Sequence, residues 1–391
     1  MRFFCIVFFL TFIFSIQSQE LVEFTMGPGY QYDIYYSLED GFSAYPERDN
    51  WEIAFSTGYN PNIRINSGTG VTLFEVSNDI DNWSEVTSLP ANAIQLRNSN
   101  LDWQLGAFTV NEDGDFDSDW VEWNYNSDII FQSGSKIYVI NYGQESKKIK
   151  VNSFYGGTFN LTVANLDGSG EQTLNVNTLD YSDKKFVFYS LTNNEIIDRE
   201  PNSEDWDIVF TKYEVDLYKE TNKGEMFYNV TGALTNNNLT AQYDGFLDVN
   251  PLFSSLYPSV DISVIGWDWK QYGGGGYTIV PNRSYFILNQ DETRLYKIVF
   301  STFSGGGSGN CSFIIEELVY NPSNLHMFDN NDFLVYPNPN NGYFKINHID
   351  ENTVCTIIDS NGRHITTETL NNSNTYFDLR DKPKGLYFIS L

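Results

Sequence analysis

The chain has few basic residues for its length. It contains 23 Lys and Arg against 51 Asp and Glu in 391 residues, which gives a formal charge of −28. Proteins that bind nucleic acids need basic patches for the phosphate backbone, and anionic lipid surfaces also attract bases. The composition therefore excludes a general nucleic-acid binder and argues against binding to anionic membranes. Hydrophobic residues still make up 41%, enough to fill real cores, which excludes an acidic disordered chain.

Histidine is also scarce, and this scarcity bears on catalysis. The three histidines are His326, His348 and His364, so none lies in the first 325 residues. Histidine-dependent triads and most zinc sites are therefore excluded from that part of the sequence. Gly-x-Ser-x-Gly, His-Glu-x-x-His and Gly-x-Gly-x-x-Gly are missing as well. We expect a protein that is not an enzyme; a secreted hydrolase that uses carboxylates stays open as an alternative.

Cysteine is too rare for a disulfide framework. Of the three cysteines, Cys5 lies in the leader discussed next, which leaves Cys311 and Cys355. Two cysteines in a chain of this size, in what we predict to be different domains, do not form a stapled scaffold. We expect both to be buried free thiols that pack as small hydrophobic residues.

Long apolar runs are lacking except at the N-terminus. There Arg2 precedes an apolar run over residues 3–14, and small residues follow at Ser15 and Ser18. This pattern predicts a secretory signal peptide over residues 1–18. The run is shorter than the ~20 apolar residues that a transmembrane helix needs, so we expect no membrane span.

What the sequence has in plenty is strand signals. Segments rich in Tyr, Phe, Val and Ile are bounded by turn residues, and helical periodicity is missing. The strongest segments are 32–38, 51–56, 136–142, 185–191, 205–213, 285–289 and 295–303. We therefore predict an all-β fold.

The strand signals occur twice in the same order. Tyr-Ser-Leu at 36–38 recurs at 189–191, and Trp-Glu-Ile-Ala-Phe at 51–55 recurs as Trp-Asp-Ile-Val-Phe at 206–210. Lys148 and Phe154 are likewise matched by Lys297 and Phe303. We predict two tandem β modules, at 19–180 and 181–325. In the Trp motif we expect Trp, Ile and Phe on one sheet face, with the acidic residue meeting solvent or capping a neighbouring turn.

A third segment, 328–391, has shorter strands and dense turn chemistry, which predicts a small β-sandwich. It resembles the type A C-terminal sorting domain of type IX secretion system cargo. The residues that carry this resemblance are Tyr336, Pro337, Asn338, Pro339, Gly342, Asp359, Gly362, Asp378, Leu379, Gly385 and Tyr387. The resemblance implies the type IX machinery as partner, and a final location that is extracellular or attached to the outer-membrane surface. The family usually continues to one further strand with a terminal basic residue, which this chain does not reach at Leu391.

The two predicted modules resemble HmuY-like proteins, a β-rich family of surface haem scavengers. The resemblance rests on the Tyr-Ser-Leu and Trp-(Glu/Asp)-Ile-x-Phe strands, the strands with Lys148 and Lys297, and the Arg-Ile-Asn-Ser-Gly turn at 64–68. The second copy lacks that turn and has Asn-Lys-Gly at 222–224 instead. Neither module has the His or Met pair of the best-known members, so we identify no haem ligand and expect no haem.

We therefore predict a secreted or cell-surface binding protein without catalytic activity, whose ligand the sequence does not identify. A structural or adhesive surface protein is the main alternative. Exposed tryptophans offer a platform for a glycan or a ring-shaped ligand, or else they pack in cores: Trp83, Trp103, Trp120, Trp123, Trp267 and Trp269. Alternating Asp113, Asp115, Asp117 and Asp119 have the oxygen ligands that calcium prefers, although Ser118 replaces the expected Gly and we favour a solvated acidic loop.

Overall fold

The computed structural model divides the chain into two compact units, at residues 1–322 and 323–391. It describes residues 19–58, 61–109, 121–126, 129–218, 224–320, 334–336, 342–347, 353–359, 363–370, 374–380, 382–385 and 387–390. The predicted leader lies outside these residues. The fold is all-β, as predicted. Within the described residues, no helix has the length and apolarity needed to cross a membrane.

The larger unit contains strands joined by turns and short 3₁₀ segments. The strands are β1 (Glu20–Thr25), β2 (Ile34–Ser37), β3 (Gly41–Ala44), β4 (Ile53–Ser56), β5 (Ile63–Ile65), β6 (Thr72–Ser77), β7 (Ile94–Leu96), β8 (Val121–Asn126), β9 (Ile129–Gly134), β10 (Ile137–Tyr142), β11 (Glu145–Tyr155), β12 (Thr158–Asn165), β13 (Gln172–Asn177), β14 (Phe186–Ser190), β15 (Glu195–Ile197), β16 (Ile208–Asp216), β17 (Phe227–Thr235), β18 (Thr240–Asp244), β19 (Lys270–Gly273), β20 (Gly276–Ile279), β21 (Arg283–Leu288), β22 (Leu295–Phe303) and β23 (Asn310–Leu318). The 3₁₀ segments are Ser67–Thr69, Ile80–Ser84, Ala107–Thr109, Leu179–Tyr181, Ser203–Asp205, Phe253–Leu256 and Gly305–Gly307.

Two pairs of sheets in this unit have matching strand orders. The order β13-β12-β11-β10-β6 has its counterpart in β1-β23-β22-β21-β18, and the first of these sheets also carries β7, β8 and β9. The order β15-β14-β4-β5 has its counterpart in β3-β2-β16-β17. Trp51 directly precedes β4 and Trp206 directly precedes β16, so the two tryptophans occupy equivalent places. These matching orders agree with the internal repeat found in the sequence.

The two copies exchange their first strands. Tyr36 in β2 pairs with Ile208 in β16, whereas Tyr189 in β14 pairs with Ile53 in β4. Likewise β1 pairs with β23, and β13 pairs with β12. The larger unit therefore has two halves. The first half consists of β4–β15, which are contiguous in the sequence. The second half combines β1–β3 with β16–β23. A boundary between residues 180 and 181 falls inside the first half, between β13 and β14. The HmuY-like character of the copies stays a prediction.

Each half has its own hydrophobic core. In the first half, Phe55, Tyr138 and Phe159 pack with Tyr189 from the second copy. In the second half, Phe210 and Phe313 pack with Phe24 and Tyr36 from the first copy. Burial of each such aromatic side chain contributes roughly 1.5–3 kcal/mol, so the exchanged strands are held by core packing as well as by backbone hydrogen bonds.

The expectation that Trp, Ile and Phe of the Trp motif share one face is wrong. Ile208 and Phe210 belong to the core of the second half, whereas Trp206 packs with Tyr35 and Val209 on the other side of the sheet. The reason is a bend at Asp207, because β16 begins only at Ile208 and strict alternation does not extend back to the tryptophan.

The acidic residue of each motif caps a turn, as one of our two expectations required. The buried Glu52 carboxylate accepts hydrogen bonds from the Leu191 backbone N–H at 2.6 Å and the Thr192 hydroxyl at 2.7 Å. The buried Asp207 carboxylate accepts the Leu38 backbone N–H at 2.8 Å. Each carboxylate therefore anchors the Tyr-Ser-Leu strand that the other copy contributes.

The smaller unit contains β24 (Leu334–Tyr336), β25 (Tyr343–Asn347), β26 (Thr353–Asp359), β27 (His364–Leu370), β28 (Asn374–Asp378) and β29 (Tyr387–Ser390). They form two three-stranded sheets, β24-β25-β28 and β27-β26-β29. Phe344, Ile346, Ile357 and Phe377 form a core with Cys355. Cys355 and Cys311 are both buried and free, which confirms the expectation for the cysteines.

Candidate functional site

A cavity of about 80 Å³ lies in the larger unit, lined by residues from both four-stranded sheets. Tyr35, Trp206 and Val209 come from the sheet of the second half, and Phe186 and Phe188 come from the sheet of the first. We call it the junction cavity. Because Trp51, Trp103 and Lys212 in its lining are only half-buried, the cavity reaches solvent on that side.

One wall is a loop of the first half that Arg64 holds in place. The Arg64 guanidinium donates hydrogen bonds to the carbonyl oxygens of Ser99, Asp102, Trp103 and Leu105, at 2.6–3.2 Å. Burial lowers the pKa of Arg64 to about 10. The Trp103 indole in turn donates to the Thr235 carbonyl at 2.8 Å, which ties this wall to the second half.

A buried ion pair joins a residue of the first copy to a residue of the second. Arg199 donates from Nη2 to Asp33 Oδ2 at 2.7 Å and to the Glu47 carbonyl at 3.0 Å. The guanidinium also lies over the Phe188 ring, with its carbon 4.9 Å from the ring centroid. The Arg199 guanidinium is thus held by Asp33 and Glu47 through Nη2 and by the Phe188 ring.

Beside the pair lies a second buried acid, Glu200. Its Oε2 accepts hydrogen bonds from the backbone N–H groups of Lys185 at 3.0 Å and Phe186 at 2.8 Å. Burial nevertheless dominates and raises the pKa of Glu200 to about 7, while burial lowers the pKa of Lys185 to about 8. Near neutral pH the Glu200 carboxyl is therefore partly protonated.

Several buried polar atoms of the lining residues have no hydrogen-bond partner among the described residues. They include the indole Nε1 of Trp51 and of Trp206, Arg199 Nε and Asp33 Oδ1. An unsatisfied buried polar group costs on the order of 1–3 kcal/mol, and native proteins contain few. Several of these atoms thus belong to residues that line this one cavity.

A buried acid that is partly protonated near neutral pH suggests acid–base chemistry, yet the arrangement does not favour it. Asp33 is bound to Arg199 and Glu200 is bound to two backbone N–H groups. About 80 Å³ accommodates on the order of two or three waters, since each water occupies about 30 Å³ in the liquid. That volume suits the binding of a small group better than the hydrolysis of a sugar chain.

Within the described residues, the tryptophans of the predicted platform do not come together. Trp103 lines the junction cavity, and Trp269 is buried against Phe300, with ring centroids 3.8 Å apart. Trp83 is half-buried and donates to Glu171 at 2.8 Å, whereas Trp267 is 37% exposed. Trp120, the Trp123 side chain and the predicted calcium residues Asp113, Asp115, Asp117 and Asp119 lie outside the described residues.

The repeated lysines have matching structural roles. Buried Lys148 donates to the carbonyl oxygens of Trp83 at 2.8 Å and Val86 at 3.1 Å. Buried Lys297 donates to the Leu247 carbonyl at 2.5 Å and to Asn250 at 2.7 Å. Each lysine holds the loop that follows the equivalent strand, β6 or β18.

The counterpart of the Arg-Ile-Asn-Ser-Gly turn lies elsewhere than the sequence suggested. The Asn66 amide donates to the carbonyl oxygens of Arg48 and Trp51, and the Asn236 amide donates to those of Ser203 and Trp206. Asn236, and not residue 222, is thus the equivalent position. Because β16 and β17 are longer than β4 and β5, Asn236 lies further along the chain than the spacing of the other matches predicts.

In the smaller unit, the described positions of the sorting motif lie at strand ends and turns. Gly342 adopts a φ of 95°, which favours glycine, just before β25. Asp359 ends β26 and accepts a hydrogen bond from Arg363 at 3.1 Å, while the Tyr387 hydroxyl donates to the Pro383 carbonyl at 2.6 Å. Tyr336 ends β24 and Gly385 precedes β29; residues 337–339 and Gly362 lie outside the described residues.

Residues 334–391 match the family model of the secretion system C-terminal sorting domain. The chain thus carries a sorting domain at its C-terminal end, which supports its being cargo of the type IX secretion system and a secreted or cell-surface protein. No curated protein and no solved structure matches the chain.

Proposed function

We propose that the protein is a binding protein without catalytic activity, delivered to the cell surface or the medium, and that its larger unit binds a small ligand in the junction cavity. The observation that carries the proposal is that four residues lining this one cavity, Trp51, Trp206, Arg199 and Asp33, each have a buried polar atom with no hydrogen-bond partner among the described residues. The sorting domain supports the location, because it delivers the larger unit to where environmental ligands are met.

The resemblance of the two copies to HmuY-like modules supports the same class of function, since those proteins bind a ligand outside the cell. The lack of paired His or Met residues argues against haem as the ligand. For calcium, the predicted loop at 113–119 stays the candidate; in the part of the chain that the structure describes, no group of three or more His, Cys, Asp or Glu side chains could hold a metal ion.

The test is a thermal-shift screen of the mature chain with small metabolites, monosaccharides, haemin and calcium. A ligand of the junction cavity should raise the melting temperature in a saturable way, because it binds only the folded state. Trp206→Phe, which removes one unpaired indole N–H, should weaken that ligand's effect. If no compound gives a saturable shift, the binding function is wrong and a structural role of the surface protein takes its place.

A glycan-binding surface is the second candidate, favoured by one group of exposed side chains. Tyr272 is 71% exposed, and its ring lies 5.1 Å from that of Tyr277 on the β19–β20 hairpin. Exposed aromatic faces of this kind bind flat apolar surfaces, including those of sugars. A glycan array with the wild-type chain and Tyr272→Ala tests this candidate separately from the cavity.

A further inference from the structure

We propose that the junction cavity is a site for a small oxyanion, that is, a carboxylate, phosphate or sulfate group. This inference rests on the proposed binding function and names its ligand class. It follows from which atoms are unpaired, from the charge around the cavity and from its size.

Three of the four unpaired atoms named above can only donate hydrogen bonds. They are Nε1 of Trp51, Nε1 of Trp206 and Nε of Arg199. Oxyanions carry several acceptor lone pairs and no obligatory donors, so they satisfy such a set without adding N–H groups that need acceptors of their own, as amines and primary amides do. Of the other unpaired atoms in the lining, Asp33 Oδ1 accepts, and a singly protonated phosphate or a water beside the anion satisfies it; the Tyr213 hydroxyl can donate or accept.

The charge around the cavity also favours an anionic ligand. Arg64, Arg199 and Lys212 line it, and the Lys212 ammonium has no hydrogen-bond or ion-pair partner among the described residues. Against these stand Asp33, paired with Arg199, and Glu200, whose pKa near 7 leaves it partly neutral. The lining is therefore net positive in a chain of net charge −28. A buried cationic lining is compensated by an anion at less cost than by water alone.

Size limits the ligand further. A volume of about 80 Å³ is about half of the roughly 150 Å³ cavity that holds a benzene molecule. It therefore suits one carboxylate or tetrahedral oxyanion group, with any larger part of the ligand extending past Trp51 and Lys212 toward solvent.

The experiment measures the melting temperature of the mature chain in acetate, phosphate and sulfate at millimolar concentrations, with chloride keeping the ionic strength constant. Phosphate and sulfate stabilise many proteins by exclusion from their surface, so only a saturable effect counts. We expect the melting-temperature shift to saturate with at least one oxyanion. The anion that saturates at the lowest concentration shows whether the site prefers a carboxylate or a tetrahedral anion.

Variants locate the effect. Trp51→Phe and Trp206→Phe keep an aromatic ring but delete an unpaired N–H, so each should raise the apparent Kd about tenfold. Lys212→Gln, at a half-exposed position, should weaken binding without loss of the fold. The matched control is Trp83→Phe, because that indole already has a partner in Glu171 and lies away from the cavity. It should leave the Kd unchanged.

Two results would overturn the proposal. One is the lack of a saturable shift with every oxyanion; the other is an equal change of Kd in Trp83→Phe and in the cavity variants. If a neutral or cationic compound from the screen binds and Trp206→Phe weakens it, the binding function stands and only the oxyanion class fails. If nothing binds, both fail together.

Discussion

Removal of the Asp207 carboxylate tests the strand exchange most directly. Asp207 accepts hydrogen bonds from the Leu38 backbone N–H at 2.8 Å and from the Asn238 amide at 2.7 Å, and all three groups are buried. In Asp207→Ala both donors lose their acceptor, and each buried unsatisfied donor costs about 1–3 kcal/mol. Burial raises the pKa of Asp207, so removing the charge regains part of that cost. We expect a net loss of about 2–4 kcal/mol in the free energy of unfolding.

In a unit of this size, 1 kcal/mol shifts the melting temperature by roughly 2 °C, so Asp207→Ala should melt about 4–8 °C lower by calorimetry. Glu52→Ala should have a similar effect, because Glu52 caps the equivalent strand in the first half. Glu204→Ala, an exposed acid on the 3₁₀ segment before Trp206, is the control and should melt like the wild type. The reasoning is refuted if Asp207→Ala and Glu204→Ala melt at the same temperature.

The strand exchange, the buried acid Glu200 and the sorting domain can each be tested separately. Residues 25 and 310 are partners in β1 and β23, so the double variant Thr25→Cys/Asn310→Cys should form a disulfide that peptide mapping detects. The double variant Thr25→Cys/Thr158→Cys should form none. The reverse result would mean that the copies do not exchange strands. The raised pKa of Glu200 gives stability that is fully present below its unfolded pKa of about 4.5 and is lost as the pH rises through about 7. Between pH 5 and pH 8, Glu200→Gln should therefore lose less stability than the wild type, by at most about 3 kcal/mol. Parallel pH profiles of the two proteins in calorimetry would contradict this. Deletion of residues 332–391 should leave the larger unit folded but retained in the periplasm, as measured by fractionation and circular dichroism; surface delivery of the truncated chain in normal amount would rule out the sorting role.

The strand class and the repeat were predictable because both depend on local pattern. Alternating Tyr, Ile and Phe predict strands wherever they occur, and Ile53 with Phe55 and Ile208 with Phe210 lie in cores as alternation requires. The pattern failed at Trp51 and Trp206, because the backbone bends at the acidic residue between the tryptophan and the strand.

The strand exchange was not predictable from the repeat. Tyr36 pairs with Ile208 and not with the first copy's Ile53, yet the motifs and their offsets are the same for either pairing. Which copy a strand joins depends on connections across more than a hundred residues, and local sequence does not encode them.

The junction cavity was missed for a different reason. Asp33 and Glu200 are two of 51 acids, and the sequence does not distinguish a buried acid from a solvated one. Trp103 was among the candidate aromatic residues, but only the three-dimensional structure places it beside Arg199 and Trp206.

The pairing of β1 with β23 has a consequence for the order in which the molecule assembles. The Gln19 amide donates to Glu316, 297 residues further along the chain, whereas the first half closes within residues 53–197. Contacts between distant residues form slowly, because a long loop must close before they contribute. The first strand to be synthesised is therefore among the last to be placed, and until β23 is made the apolar side chains of Val22 and Phe24 have no core to enter. A circular permutant that joins the residues after β23 to those before β1, and opens the chain between β15 and β16, would remove this delay and turn the exchanged halves into two consecutive ones.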